Sequence, residues 1–505
     1  MRSVRARSSR CSLSFEQLEN RLPLSAAHGS LVSATHLDPV KKHVGSSVPY
    51  GLTPDATRAY YGFDQVSFGG TPADGSGQTI AIVTARNNPN IASDLAQFDQ
   101  TFGLAAPPSF RVVNQTGGTK LPKNNKSWGS ETALDVEWAH AIAPGANILV
   151  VEAKSESLAN FAAAIDFARN APGVSVISVS AAGDEFTSEG LVDSLFTTPP
   201  GHPGVTFVFA SGDDGGTAEY PSSSPNVLSV GGTTLSLSWP PQWQGESVWS
   251  DGGGGASTYE GVPSYQNGLG LTSRGTPDVS YNADPDTGFA VLDSYGNRGW
   301  AQFGGTSAGT PQWAALVAIV NQGRALGGKT PLANAQAALY VMPSADFHDI
   351  VYGDNQTSSA TVGYDLASGL GSPITDLLIP DMVAFSGSTD FTVGPPPVVA
   401  APGKSKHHFS TGVDVAARPL VSTPSISVTT SLRHLTTSYE VNALLVPVAE
   451  VAATNLDTGL PKQSSIKSQL KSAKRGGKLT SKLAGSGFSD VDAYFADLGG
   501  RVAAA

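Results

Sequence analysis

A chain of 505 residues is long enough for one large domain with extensions or for two to three domains, and its 40% hydrophobic content can bury a sizeable core. The formal net charge of −11 is uneven: residues 1–48 hold 7 Lys and Arg against 3 Asp and Glu, residues 387–505 hold 12 against 8, and residues 49–386 hold the remaining 12 against 31. So acidic a body repels phosphate backbones, which argues against nucleic acid as a partner, and it repels itself less as carboxylates protonate in acid.

Residues 1–48 read as a basic leader or short pro-region. Four arginines precede residue 11, then comes Phe15-Glu16-Gln17-Leu18-Glu19-Asn20-Arg21-Leu22-Pro23-Leu24-Ser25, without the apolar core of a secretory signal. That pattern resembles a leader of large exported bacterial surface proteins, which implies a secreted or cell-surface location. The plain alternative is a disordered basic start. No uninterrupted stretch is long enough to span a membrane. The lone Cys11 excludes an intrachain disulfide, so in an exported protein a bound metal is the expected tie for loops.

From about residue 49 the chain reads as globular. Gln78–Ala85, Asn147–Ala153, Val174–Ser180 and Val205–Ala210 are continuous apolar runs that predict buried strands. Ser93–Leu104, Ser130–Ala143 and Leu158–Ala171 have helical spacing; in the second, Ala133, Leu134, Trp138 and Ile142 share the apolar pattern. Strands and helices in alternation, with strands apolar throughout, predict an α/β fold: a parallel sheet covered by helices on both faces. Ligands of such sheets sit at the carboxyl ends of the strands, which draws attention to Ser211–Gly216. Residues 226–300 read as irregular, and Pro331–Val341 as a further helix. Residues 387–405, around Gly394-Pro395-Pro396-Pro397, read as a linker. Residues 406–505 read as a poorly ordered or loosely folded tail, with Asp490–Leu498 as a short amphipathic helix.

Three stretches carry more than packing requires. Gly304-Gly305-Thr306-Ser307-Ala308-Gly309-Thr310-Pro311 leads into the apolar run Trp313–Val320, placing a hydroxyl where a tight turn becomes a buried helix. The positive end of that helix favours a developing oxyanion. Glu131 and Asp135 lie four apart on one predicted helix, so both carboxylates share a face and each raises the other's proton affinity. Asp213, in Ser211-Gly212-Asp213-Asp214-Gly215, directly follows a buried strand. Taken singly, these read as a turn capping a core helix, a solvated acidic face and an Asx turn.

Together they resemble the sedolisin family, the serine-carboxyl peptidases, with kumamolisin-like members nearest. The matching positions are Glu131-Thr-Ala-Leu-Asp135-Val-Glu, Ala143-Pro-Gly-Ala146, Ala210-Ser-Gly-Asp213, Val230-Gly-Gly-Thr-Thr234, Gly305-Thr-Ser307 with Pro311, Phe347-His-Asp349-Ile350, and Gly363-Tyr-Asp365 followed by Gly369-Leu-Gly371. They run in order over residues 49–386. The resemblance implies a subtilisin-like fold and peptide-bond hydrolysis in acid, with polypeptides as substrates and a monomeric, secreted or cell-surface enzyme. Cleavage is implied either internally or three residues from an N-terminus. Ser307 would be the nucleophile, Glu131 its base, Asp135 the partner orienting Glu131, and Asp213 the oxyanion donor. One Ca²⁺ ion is implied, held by the carboxylates of Asp349 and Asp365 and the carbonyls of Ile350, Thr361 and Gly363, as oxygen ligation of calcium requires. The family usually has glycine where Thr361 stands.

The chemistry is coherent apart from the family. A serine hydroxyl needs a positioned base, and an unperturbed glutamate titrates near ~4.3. Asp213 donates only while protonated. Activity is therefore expected to rise from neutrality towards about pH 3–5. His140, His202 and His348 all lack the setting of an imidazole base: His140 falls on the far side of the helix from Glu131 at ~100° per residue. Two departures stand out. Thr84 and Ala181 occupy positions where some members carry a second glutamate and a tryptophan, and only about 48 residues precede the catalytic region where family precursors carry a long prosegment. The alternative from another class is a non-catalytic calcium-binding surface module of the same fold.

Overall fold

The structure, a computed structural model, describes residues 42–397. The expectations for residues 1–41 and 398–505, including most of the leader, part of the linker, the tail and its short helix, lie outside the described residues.

Runs of β-branched and other apolar residues without polar alternation cannot leave one face in water, and here they form the centre of one large sheet. Its strands are β2 (Thr79–Ala85), β3 (Phe110–Asn114), β4 (Asn147–Ala153), β5 (Val174–Val179), β6 (Thr206–Ala210), β7 (Leu228–Leu235), β8 (Glu246–Val248) and β9 (Val279–Asn282), with β1 (Lys42–Ser46) lying elsewhere. The order across the sheet is β8-β7-β6-β5-β2-β4-β3, and β9 also pairs with β7. All pairings are parallel except β7 with β8.

Alternate residues of each strand go to opposite cores. Ile80, Ile82, Ile148, Val150, Val176 and Val208 join the larger core, under α2 (Lys126–Ile142) and α4 (Thr306–Leu326). Ala81, Val83, Leu149, Val151, Ile177 and Phe207 pack on the other face under α3 (Leu158–Asn170). Preceding α2, α1 (Ile91–Phe102) packs against it: the Phe98 and Trp138 rings lie 6.4 Å apart. This is the expected subtilisin-like arrangement, with helices on both faces and the carboxyl ends of β2, β5 and β6 opening onto one region.

Three expectations need correcting. Residues 226–300 are not irregular: they contain β7, β8, β9, β10 (Phe289–Asp293) and the start of β11 (Gly299–Phe303). Their glycines and turns masked strands whose partners are distant in sequence. The helix expected over Pro331–Val341 shrinks to Ala335–Leu339. The strand β1 lies inside the span read as leader and pairs antiparallel with β11, next to β10.

Candidate active site

The helix carrying the two acids is buried on every side, which explains why it lacks a polar face. From Trp128 to Ile142 every residue of α2 is buried. Asn125 caps it by accepting the Trp128 N–H, and Trp138 donates to the Ala290 carbonyl of β10 at 3.0 Å. Glu131 is 1% exposed and Asp135 is fully buried, so the solvated-face reading fails. Neither Glu131 oxygen has a hydrogen-bond partner, and nor does Asp135 Oδ2. Burial pushes Asp135 up to about 8. Burial first, then the neighbouring Asp135 charge, raises Glu131 well above the usual carboxylate range, while the Ser307 and Ser180 hydroxyls pull it back. Burial and mutual repulsion thus both favour the protonated form of the pair.

Ser307 is the second residue of α4 and fully buried, and its Oγ has no hydrogen-bond partner. It lies near enough to Glu131 to favour that carboxyl's ionised form, though no hydrogen bond between them is formed. Gly305 precedes the helix at φ 96°, a left-handed conformation, and a Cβ there would stand 2.6 Å from Asp213 Oδ2. Glycine is required for both reasons. Pro311 lies deeper in the helix than the sequence suggests. Being inside α4, it withholds the N–H that would otherwise meet the Ser307 carbonyl.

Asp213 leaves β6 three residues after its end. Its Oδ1 accepts the Thr306 N–H at 2.8 Å and the Thr306 hydroxyl at 2.7 Å. Oδ2 is buried without a partner. Burial outweighs these bonds and pushes the carboxyl up to about 7. A proton on Asp213 therefore sits on Oδ2, the oxygen not already accepting, beside the start of α4. Glu131, Asp135, Asp213 and Ser307, predicted from separate motifs, are brought together by three elements: Asp213 raises the proton affinity of Glu131, and Ser307 lowers it.

A model of the Subtilase family matches residues 117–364. Kumamolisin from Bacillus sp. (strain MN-32) is 36% identical over 369 residues, covering 65% of this chain and 63% of that protein. Sedolisin from Pseudomonas sp. (strain 101) is 30% identical over 334 residues, covering 58% and 56%. The chain thus spans about three fifths of the length of these curated relatives. The solved structure of Pseudomonas sedolisin, a serine-carboxyl proteinase complexed with pseudo-iodotyrostatin, superposes with a TM-score of 0.59 at 26% identity, over 67% of this chain and 99% of that one. Over the described residues the chain is thus similar to the sedolisins.

The two substituted positions, Thr84 and Ala181, have structural counterparts. Thr84, at the end of β2, shares a hydrogen bond with Thr132 at 3.0 Å, a hydroxyl where some sedolisins have a second carboxyl. Ala181 is buried and apolar. His140 and His348 are accounted for by packing. His140 Nε2 meets Asp99 at 3.2 Å and the Ala105 carbonyl at 3.0 Å. His348 stacks on Trp243 at 3.8 Å, and burial lowers it to about 4.

The five expected metal ligands lie on two segments joined by hydrogen bonds. Asp349 accepts the Gly363 N–H through both oxygens, at 3.1 and 3.0 Å. Asp365 Oδ2 accepts the Thr361 N–H at 2.8 Å, and Oδ1 accepts from Ala367 and Ser368. Among the described residues no donor reaches the carbonyls of Ile350, Thr361 or Gly363. Thr361 is not in the left-handed region, so the backbone accommodates its side chain where glycine is usual. No group of three or more His, Cys, Asp or Glu side chains is placed for a metal among the described residues, so a cation here depends on those carbonyls. Two carboxylates with three uncommitted carbonyls fit a hard, oxygen-seeking ion.

Sequence reasoning missed Ser180. Its hydroxyl, 1% exposed at the carboxyl end of β5, donates to Asp135 Oδ1 at 2.7 Å and lies 3.4 Å from the Ser307 carbonyl. A serine closing a strand carries no pattern of its own; only its place after a central parallel strand hinted at it.

Proposed function

We propose that this chain is an acid-active serine-carboxyl peptidase that hydrolyses polypeptides through an acyl-enzyme on Ser307. One observation carries the reading: a fully buried serine hydroxyl without a partner acts on Glu131, whose two buried oxygens also lack partners, beside Asp135, whose Oδ2 is equally bare. Buried polar groups left unpaired are costly, and an arrangement completed only by substrate accounts for the cost.

Ser307 Oγ attacks the scissile carbonyl carbon as its proton passes to Glu131. Asp135 holds the pair's other proton and orients Glu131. The carbonyl oxygen, now negative, accepts a hydrogen bond from protonated Asp213 Oδ2 and from the Ser307 N–H at the positive end of α4. Collapse breaks the C–N bond, and Glu131 returns its proton to the departing amine. Water then repeats the sequence on the acyl-enzyme, with Glu131 again taking and returning a proton.

Asp349 and Asp365, with the carbonyls of Ile350, Thr361 and Gly363, hold one calcium ion in this reading. The ion supplies charge neutralisation and a tie between two loops, outside the chemical step. The enzyme acts as a monomer, outside the cell or at its surface. No helix among the described residues is long and apolar enough to cross a membrane.

The test is digestion of a denatured protein at about pH 4 with analysis of the fragments. Hydrolysis is expected, and Ser307→Ala should lower it by about 10⁴-fold or more. A folded wild-type protein that cleaves nothing while still binding calcium would instead indicate a surface module.

A further inference from the structure

The Ser180 hydroxyl has one proton and two acceptors within reach. Asp135 Oδ1 at 2.7 Å is much the nearer; the Ser307 carbonyl is at 3.4 Å. The proton therefore goes to Asp135. Pro311 leaves the Ser307 carbonyl without a helical donor, which keeps that oxygen free to lie against the Ser180 hydroxyl. Ser180 thus touches both halves of the proposed catalytic apparatus, Asp135 on α2 and the Ser307 backbone on α4.

Resting on the peptidase reading above, we propose that Ser180 is a positioning residue: by occupying Asp135 Oδ1 it makes Oδ2 the oxygen that exchanges a proton with Glu131, and it sets the registry of β5 against the start of α4. With Oδ1 engaged, the unpartnered Oδ2 is left to carry Asp135's proton. The partners of the pair are few. Asp135 comes from α2 and Asp213 from the end of β6; β5 and α4 contribute the hydroxyls of Ser180 and Ser307. The neighbouring β2 contributes Thr84, through Thr132. No cation is among the groups acting on Glu131, so the Ser180 donor is the group that favours ionised Asp135, and it also favours ionised Glu131.

The experiment is the pH profile of kcat/KM for Ser180→Ala, Ser180→Thr and Ser180→Cys, each checked for folding by thermal melting. Losing a donor to a carboxylate raises its pKa, so the acid limb of Ser180→Ala should move to higher pH by on the order of one unit. At a pH on that limb the rate then falls about tenfold, while the alkaline limb stays in place. Ser180→Thr, which keeps the hydroxyl, should restore the wild-type limb, and Ser180→Cys, a weaker donor, should fall between. If alanine does not fold, the cysteine displacement decides. An unmoved acid limb, or an equal loss at every pH, would overturn the proposal. Should wild type lack an acid limb that Glu131→Gln abolishes, it is the peptidase mechanism that fails rather than the role of Ser180.

Discussion

Asp213 must hold a proton to donate, and two donors of Thr306 together with burial decide where and until what pH it does so. Thr306 fills Oδ1 with two donors, so the proton rests on Oδ2. Burial raises the carboxyl to about 7, and the neutral form persists up to that pH and is lost above it. Activity should accordingly fall as pH rises through about 7, as read in kcat/KM with a small peptide substrate. Asp213→Asn places an amide N–H where the proton was and cannot ionise. It should keep a measurable fraction of the activity and lose the limb at about 7. Asp213→Ala should cost about 10²–10³ in kcat at every pH. A limb at the same place in Asp213→Asn would assign that ionisation to the Glu131–Asp135 pair instead.

At the scale of elements, α2 and α4 owe their positions to burial rather than to amphipathic faces. α2 sits between the sheet, α4, α1 and β10, and Glu137 accepts the Leu292 N–H at 2.9 Å to satisfy the β10 backbone. The two loops at Asp349 and Asp365 have little apolar packing: Ile350, Val248 and Ala367 form a small separate cluster. Their order is therefore expected to depend on calcium. Raising free calcium to about 100 times its Kd should add about 2.7 kcal/mol to stability, and chelation should remove it. Differential scanning calorimetry checks this, and in Asp365→Ala the calcium-dependent rise in melting temperature should vanish.

For the whole molecule the excess of acids becomes a pH-dependent stability. Burial raises Glu152 to about 8, Glu189 to about 9, Asp193 to about 6, Glu219 to about 8 and Glu260 to about 8. The unfolded chain releases these protons near pH 4, whereas the folded chain keeps them. Folding thus takes up protons, and the stabilisation is complete below about pH 4 and lost as pH rises through about 6–9. Glu156, drawn down by Arg86, works in the opposite sense, but this half-buried pair is partly screened by solvent. The melting temperature should be higher at pH 4 than at pH 8, by about 5 °C or more. A midpoint that rises towards pH 8 would show these carboxyls to be better solvated than their burial implies.

The acidic pair, the aspartate after a strand and the serine at a helix start were legible because each lies in a short local pattern whose chemistry is local. The central strands were legible because a strand buried on both faces must be apolar throughout. Local pattern failed where partners are far apart in the chain. The strands within residues 226–300 pair with distant segments, and β1 with β11, so nothing nearby signals them. Burial of Glu131 and Asp135 was equally hidden, since two acids a helical turn apart look the same on a wet face as in a core. The sequence by itself determined which groups stand as candidates for the chemistry and which fold class carries them. Only the tertiary structure decided which carboxyl oxygens are taken and which are left bare, because that depends on Thr306 and Ser180, brought in by elements the chain reaches much later.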